Sequence, residues 1–385
     1  MKGFNFKQLL VVAGEALVLA GITIAAVMPV SCKITEQGVK ILGGDYVPPV
    51  LNSYRVVDET MLELEFSEKV FVSGYVVAQE VDELFDSLEH SDTLDLSPAL
   101  ERASGVYGSV PCTVQTDDSG CVVNVCFEQN MEVGQSYEFY SQVRDAAGNT
   151  LTLVVPFSGF NSRVPELLLT EIQTESVSSQ NKTEKTAGTY RNEFVEFLVL
   201  KGGNLAGLEL CSGYDGEAKQ YVFPALEVTD GEVFVVHMRN RGNGCISEEG
   251  ENLDEAFSSY TTAGVRDLWT SIESTTLGNK TDIIIVRNRA DGRLLDAVMF
   301  RASNIEEWTK TMNEYSLLID ESGIYESGDV ENAFITDGMT ATKTMSRTGA
   351  LELQQMVLNG QVPDFPVKSD SESWVISAEA SPGTL

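Results

Sequence analysis

The strongest constraint on this chain is a two-residue alternation of apolar and polar side chains within short segments. Residues 61–67, MLELEFS, show it most clearly, because acids separate the apolar Leu62, Leu64 and Phe66. Side chains of a β-strand point alternately to opposite faces, so this pattern is typical of a strand with one buried face. The same reading predicts further strands in the first half of the chain, at residues 70–77, 110–115, 121–127, 136–143 and 150–157.

The second half continues with short apolar segments separated by turns rich in Gly, Pro, Asp and Asn. Predicted strands lie at residues 167–173, 191–200, 204–210, 221–224, 232–237, 281–286 and 294–300. Many short strands with such turns predict an all-β fold of two β-sandwich domains. A length of 385 residues also exceeds what one hydrophobic core usually organises.

Two segments have helical spacing instead and predict short helical insertions. Residues 78–90, AQEVDELFDSLEH, place apolar side chains at the i, i+3, i+4, i+7 positions of an amphipathic helix. A second short packed helix is predicted from four apolar residues: Val265, Leu268, Trp269 and Ile272.

The N-terminal residues 1–32 combine two early lysines with a long apolar run that ends at Ser31-Cys32. This composition is typical of a secretory signal. The ending resembles the lipobox of bacterial lipoproteins, which implies a lipid on Cys32. Residues 9–30 are also long enough to remain as an uncleaved anchor helix, because about 20 apolar residues span a bilayer. In both cases we expect an exported, membrane-tethered body, with residues 33–47 as the tether.

The charge of the chain excludes one class of partner. It carries 58 acidic and 26 basic residues, a formal charge of −32. Such a surface repels phosphate backbones, so we expect no nucleic-acid partner. Divalent cations need clustered oxygen ligands, and the sequence predicts no metal site and no cofactor.

Residues 48–160 resemble the bacterial Ig-like domain of surface proteins. The resemblance rests on LELEFSEKV at residues 62–70, YEFY at residues 137–140 and RDAAGN at residues 144–149. It implies an Ig-like β-sandwich closed by the last of these motifs. Asp145 and Asn149 suit a turn, because their side chains bond nearby backbone amides.

Residues 164–385 resemble the lamin-tail domain, an Ig-like sandwich that bacteria place in secreted and envelope proteins. Motifs of that family occur here in the family's order, at residues 169–172, 192–200, 204–210, 221–224, 231–236, 282–296 and 373–383. The departures are Phe194 in place of Trp, Lys201-Gly202-Gly203 in place of Asn, and an insertion over residues 239–278. The resemblance implies a sandwich without a catalytic role of its own.

Glu171 and Glu196 stand out because each lies in a strand where an apolar residue is expected. The lamin-tail resemblance places a Glu at both positions, on adjacent strands. A glycosidase would need two carboxyls separated across a sugar-sized cleft, which nothing in the sequence predicts. We interpret the two acids as structural anchors, one or both of which accept hydrogen bonds from the backbone or from Arg347.

The cysteines leave the disulfide pattern open. Export permits disulfides, and removal of Cys32 from the six cysteines leaves an odd number. If residues 118–120 form a three-residue hairpin loop, Cys112 lies opposite Cys126. We therefore predict a possible disulfide between this pair, whereas Cys211 and Cys245 stay unassigned.

Catalytic motifs are absent from the sequence: there is no H-E-x-x-H, P-loop, G-x-S-x-G or G-x-G-x-x-G. The two histidines, His90 and His237, lack motif partners for a zinc site or a triad. We expect a non-enzymatic cell-envelope protein, periplasmic or cell-surface, that binds a protein or glycan partner or acts as a spacer. The alternatives are an accessory to a secreted hydrolase or a cryptic hydrolase, and a calcium-stabilised adhesin.

Overall fold

The structure is a computed structural model that describes residues 32–35, 38–41, 45–79, 110–175, 181–214 and 219–385. The chain divides into two compact units, each built mainly from β-strands as predicted. The first comprises the residues up to Gln129 together with Tyr137–Phe157. The second comprises Asn130–Ser136 and Ser158–Leu385. The predicted signal or anchor helix and nearly all of the predicted helix at residues 78–90 lie outside the described residues.

The first unit contains a hairpin and two antiparallel sheets. Its strands are β1 (Cys32–Thr35), β2 (Gly38–Ile41), β3 (Leu51–Asp58), β4 (Met61–Phe66), β5 (Phe71–Gln79), β6 (Cys112–Thr116), β7 (Val122–Phe127), β8 (Ser136–Arg144) and β9 (Thr150–Ser158). Strands β1 and β2 pair, and the two sheets have the orders β3-β4-β7-β6 and β5-β8-β9. Alternate residues of β4 are buried, as the sequence pattern requires. Phe127 of one sheet contacts Phe157 of the other at 6.0 Å between ring centroids, so the sheets face each other.

The hairpin of β6 and β7 corrects the predicted disulfide. Cys112 lies opposite Phe127 and not opposite Cys126, one residue away from the predicted register. The loop is one residue longer than predicted because Asp117 pairs with Val122: the Asp117 N–H donates to the Val122 carbonyl, and the Asp117 carboxylate accepts from the Val122 N–H. A slip of one residue moves a strand's side chains to the other face. Both cysteines are free thiols.

The described residues of the second unit form the remaining strands and three helices. The strands are β10 (Glu166–Gln173), β11 (Phe194–Lys201), β12 (Gly203–Asn204), β13 (Leu208–Ser212), β14 (Lys219–Val222), β15 (Glu227–Val228), β16 (Val233–His237), β17 (Arg266–Trp269), β18 (Asp282–Asn288), β19 (Leu294–Arg301), β20 (Phe334–Ile335), β21 (Thr344–Arg347) and β22 (Trp374–Ser377). The helices are α1 (Lys182–Ala187), α2 (Lys310–Ser322) and α3 (Ala350–Leu358), and a 3-10 turn covers Val330–Asn332.

Two sheets of the second unit enclose one hydrophobic core. Their orders are β17-β16-β11-β10-β21-β22 and β14-β13-β18-β19-β20, and a separate pair joins β12 to β15. Residues of both larger sheets form one buried cluster. Helix α2 covers the outer face of the five-stranded sheet, and α3 contributes Val357 to the outer face of the six-stranded sheet. Central strands such as β11 are therefore buried on both faces, which explains why their sequences do not alternate.

The end signals of α2 follow from its sequence. The Thr309 side chain accepts a hydrogen bond from the Met312 N–H and caps the N-terminus, and Gly323 ends the helix with φ 69°. Met312, Tyr315 and Ile319 lie on one face and pack on the sheet. Glycine at this end avoids the Cβ clash of the left-handed conformation.

The predicted helix around residues 265–272 is wrong, because these residues form β17. Strand β17 pairs in parallel with β16 at the edge of the six-stranded sheet. Leu268 enters the core, and the adjacent Trp269 stacks on His237 instead. Neighbouring side chains of a strand point to opposite faces of the sheet. Leu268 and Trp269 are both apolar because both faces of β17 are covered, and not because they lie on the apolar face of a helix.

A buried ion pair joins the two sheets of the second unit. Asp296 of β19 accepts hydrogen bonds from the Leu169 N–H at 2.8 Å and from Arg347 Nη1 at 2.5 Å. Both charged side chains are 2% exposed. The Arg347 guanidinium also lies 5.6 Å from the ring centroid of Trp374. Removing one member of such a pair leaves a buried charge without a partner.

We predict that Arg347→Ala lowers the free energy of unfolding by about 3–5 kcal/mol, because Asp296 is then buried unpaired. The control is Arg163→Ala, which breaks the exposed Arg163–Glu227 pair and should cost at most about 1 kcal/mol. Urea unfolding of the purified variants measures both changes. Equal losses in the two variants would contradict the prediction.

Candidate functional site

Glu171 and Glu196 lie directly opposite each other on the paired strands β10 and β11. A β-bulge brings them together: Leu169 pairs with Phe197 and Glu171 with Glu196, so Thr170 is the extra residue. Leu169 and Ile172 both enter the core, and without the bulge Glu171 would share the face of Leu169. The extra residue turns Glu171 to the outer face of the six-stranded sheet.

Glu196 faces the same way, because its neighbours Val195 and Phe197 belong to the core. Leu198, two residues along the strand, packs with Val357 of α3 on the outer face. The two carboxylates are nevertheless 2% and 1% exposed. They are buried beneath a covering segment of the chain and not inside the sandwich.

The covering segment is the C-terminal stretch that follows β22, and it binds both acids through its backbone. Glu171 accepts from the Ser381 N–H at 3.1 Å, and Glu196 accepts from the Gly383 N–H at 2.6 Å. Three hydroxyls complete the set: Thr344 donates to Glu171 and Thr170 donates to Glu196, each at 2.6 Å, and Ser381 donates to Glu171 at 3.3 Å. We call this arrangement the acid pair.

Arg347 does not bind the acid pair, so the backbone supplies the donors where the sequence interpretation left the backbone and Arg347 as alternatives. Its guanidinium is committed to Asp296, although Arg347 lines the same cavity as Glu171 and Glu196. The expected hydrogen bonds from the backbone are present, and the expected one from Arg347 is not. The acid pair therefore has no ion-pair partner among the described residues.

Burial without a counter-charge raises both pKa values. Burial raises the pKa of Glu171. Burial also raises the pKa of Glu196 to about 7, and repulsion from Glu171 adds to this effect. The N–H and O–H donors act in the opposite direction, because they stabilise the ionised form.

A cavity of about 240 Å³ adjoins the acid pair. Its walls also include Ser346 of β21, the start of α3 and Leu385. Paired carboxyls perform acid–base chemistry when a substrate reaches between them. Here donors of the chain itself bind the two carboxylates, which are 2% and 1% exposed, so this arrangement holds a segment in place.

Other buried acids follow the same rule of binding backbone N–H groups at irregular segments. Asp282 accepts from the N–H groups of Gly213, Gly278 and Ile283. Glu193 accepts from the Thr276 N–H at 2.9 Å. Asp282 thus ties two loops to β18, and Glu193, which directly precedes β11, ties its own segment to the loop at Thr276.

The sequence reasoning missed a buried pair at β16 and β17. His237 Nε2 lies 2.6 Å from Asp267 Oδ1, and the Trp269 ring stacks on the imidazole at 3.8 Å. His237 is fully buried. Asp267 lies in the insertion that was predicted as helix, so nothing in the sequence placed it beside His237.

Three carboxylates of the first unit are close enough to share a cation. Oxygen atoms of Asp45, Glu68 and Asp145 all lie within 4.8 Å of one another. Partial burial and the charges of Asp145 and Asp45 raise the pKa of Glu68. Asp145 also accepts from the Asn149 N–H at 2.8 Å, the turn role that the sequence predicts for it.

The predicted membrane attachment is outside the part of the chain that the structure describes. Cys32 begins β1, and its lipid stays a prediction. Among the described residues, no helix has both the length and the apolar character that a membrane crossing requires.

Comparison with known proteins identifies similar sequences. The profile of a family described as TP_1001_2nd, "protein second domain", matches residues 165–376. An uncharacterized protein of Treponema pallidum (strain Nichols) is 28% identical over 245 residues, which are 62% of this chain and 57% of that protein. The chain thus matches little more than half the length of this relative.

Two solved structures were also found. The N-terminal part of the bacterial S-layer protein SbsC shares 16% identity, with a TM-score of 0.22, over 49% of this chain and 40% of that chain. A DUF4876 family protein from Bacteroides thetaiotaomicron VPI-5482 shares 12% identity, with a TM-score of 0.27, over 72% and 82%. TM-scores this low carry no argument about fold or function.

We predict that stability depends on pH through Glu196. Its pKa rises from 4.5 to about 7 on folding, so the folded state holds the proton more tightly than the unfolded state. This contribution is complete below pH 4.5 and is lost as the pH rises towards 7, a change of about 3 kcal/mol. Unfolding measured against pH should show this decline in the wild type and a weaker one in Glu196→Gln.

The control is Glu306→Gln, which changes an exposed acid and should leave the pH profile unaltered. A Glu196→Gln profile parallel to that of the wild type would show that the acid pair does not titrate in this range.

Proposed function

We propose that this chain, which belongs to the TP_1001_2nd family, is an exported and membrane-tethered protein of the bacterial cell envelope. It binds or spaces other envelope components and catalyses no reaction. The observation that carries the proposal is the acid pair, whose two carboxylates are buried and occupied by hydrogen bonds from the chain itself.

The absence of catalysis is supported by how the buried acids are used. Glu171 and Glu196 hold the C-terminal segment, and Asp282 holds the loops around Gly213 and Gly278. A general acid or a nucleophile has to reach a substrate. If the protein were instead a cryptic or accessory hydrolase, the C-terminal segment would have to move away from the acid pair to free the carboxylates.

The fold assignment goes further than the sheets themselves. We propose that the first unit is an Ig-like sandwich and that residues 164–385 form a lamin-tail-like sandwich, on the strength of the ordered motifs. Rigid sandwiches present edges and loops as binding surfaces, which suits a protein or glycan partner.

Attachment to the membrane is supported by the sequence alone. The early lysines, the apolar run and Ser31-Cys32 fit a lipoprotein signal, and residues 9–30 are the alternative anchor. The formal charge of −32 means that anionic lipid headgroups repel the protein. A covalent lipid or a membrane-spanning segment is therefore needed to hold it at the membrane surface.

We predict that Cys32→Ser abolishes lipid attachment, because serine lacks the thiol that forms the thioether. Wild-type protein should begin at residue 32 in its mature form, carry the added mass of the lipid and partition into detergent. The variant should keep its precursor mass, whereas wild type treated with the signal-peptidase inhibitor globomycin should keep its signal and also carry the added mass of the diacylglyceryl group. Precursor mass in untreated wild type would favour the uncleaved anchor, and a cleaved, unlipidated wild type would contradict tethering.

A second candidate function, a calcium-stabilised adhesin, is favoured by the carboxylates of Asp45, Glu68 and Asp145. Calcium takes several oxygen ligands from such groups. We predict for this candidate that calcium raises the melting temperature of the wild type and not that of Glu68→Gln. Asp118→Asn, at an exposed acid of the same unit, is the control. The same melting temperature with calcium and with chelator would eliminate this candidate.

A further inference from the structure

The second unit contains a larger cavity, which we call the hydroxyl cavity. Its volume is about 560 Å³, within the range of about 300–1,000 Å³ that small-molecule sites occupy. The lining is mainly polar. Five hydroxyl-bearing residues contribute to it: Ser258, Ser259, Tyr260, Thr261 and Thr342.

Tyr260 is held in the cavity wall by an unusual backbone. Its φ is 69°, and it is the one non-glycine residue of the described ranges with a positive φ. Such a conformation costs a tyrosine about 1 kcal/mol or more and persists when its surroundings enforce it. The ring packs edge-on against Phe194 at 5.4 Å, and Arg191 lies 5.8 Å from its centroid. Tyr260 remains partly exposed.

The charges in the wall disfavour anionic ligands. Arg191 Nε is paired with Glu184 Oε1 at 2.7 Å, and the other oxygen of Glu184 accepts from the Asn181 N–H. The one positive charge of the lining is therefore balanced. Glu379 adds an exposed negative charge. Phosphates, sulfates and uronates would meet net repulsion.

The chemistry of the wall also disfavours lipids and peptides anchored by apolar side chains. The apolar side chains of the lining are the methyl groups of Ala378 and Ala380. A hydroxyl donates one hydrogen bond and accepts two, so the wall hydroxyls keep capacity beyond their internal bonds. The Thr261 hydroxyl, for example, donates to the Ser258 carbonyl at 2.8 Å and retains its lone pairs.

We infer that the hydroxyl cavity binds an uncharged saccharide, with Tyr260 presenting its ring to a sugar face and the wall hydroxyls meeting sugar hydroxyls. An uncharged saccharide matches this cavity because the lining is polar, has no net positive charge and includes the fixed ring of Tyr260. The inference rests on the proposed binding role of this envelope module and names the chemistry of one of its partners.

The experiment is saturation-transfer NMR on the purified full chain with defined probes. The neutral probes are maltose, cellobiose, lactose and chitobiose, the anionic probe is digalacturonate, and the peptide probe is Gly-Ser-Gly. We expect transfer to at least one neutral disaccharide and none to digalacturonate or the peptide. Failure of all four neutral disaccharides at millimolar concentration would overturn the inference, as would equal binding of digalacturonate or the peptide.

Two variants locate the binding. Thr342→Val removes one exposed hydroxyl and should weaken binding about fivefold, the effect of one hydrogen bond. Thr340→Val is the matched control, since Thr340 is also exposed but does not line the cavity. Tyr260→Asn removes the ring with a residue that tolerates positive φ and should weaken binding more, with folding checked by thermal melting. Wild-type affinity in the folded Thr342→Val protein, or an equal loss in Thr340→Val, would overturn the assignment.

This test is independent of export and anchoring, because it uses purified protein. A failed Cys32 experiment would remove the tether and leave saccharide binding in place. A failed saccharide experiment would leave the tethered envelope protein without this ligand.

Discussion

The commitment of Arg347 to Asp296 is the interaction on which the rest of the second unit depends. It joins the two sheets across the core through a 2.5 Å ion pair with both partners buried. Because Arg347 is paired with Asp296, it does not neutralise Glu171 and Glu196, whose cavity it lines. The acid pair is left to uncharged donors, and burial then raises its pKa values. One ion pair thus determines both how the sheets are joined and how the acids on the outer face must be stabilised.

The bulge at Thr170 is the second determinant. It reverses the orientation of the strand between Leu169 and Ile172, so that apolar residues continue to enter the core on both sides of it. The same extra residue places Glu171 across from Glu196 and supplies the Thr170 hydroxyl that binds Glu196. Bulges commonly redirect a side chain at a site where ordinary pairing would bury it wrongly. The acid pair is a product of that local geometry as much as of the two glutamates.

Sequence reasoning succeeded where the constraint was local. Alternation placed strands with one buried face such as β4, because the side-chain period of two is a property of each strand alone. Turn residues between short apolar segments placed the strands of the second unit that are buried on both faces. An acid in the apolar segment of β11 drew attention to Glu196 for the same reason. The contact with the covering segment could not be predicted from the sequence pattern. Gly383 is 187 residues from Glu196, and no periodic pattern links the two residues. The pairing of Arg347 with Asp296 was not predicted, because Asp296 lies on the opposite sheet. The register at Cys112 was wrong because one residue of loop length depended on the side chain of Asp117.

The covering segment connects two parts of the second unit that would otherwise be separate. Ser381 binds Glu171 on one side, while the preceding residues Ala378 to Ala380 form part of the wall of the hydroxyl cavity. The segment has few apolar anchors of its own, so the hydrogen bonds to the acid pair largely fix where that wall stands. Ionisation has two opposing effects on it, because a charged carboxylate accepts a stronger hydrogen bond while two adjacent charges repel each other. Two glutamates that do not line the hydroxyl cavity therefore help to hold its wall in place.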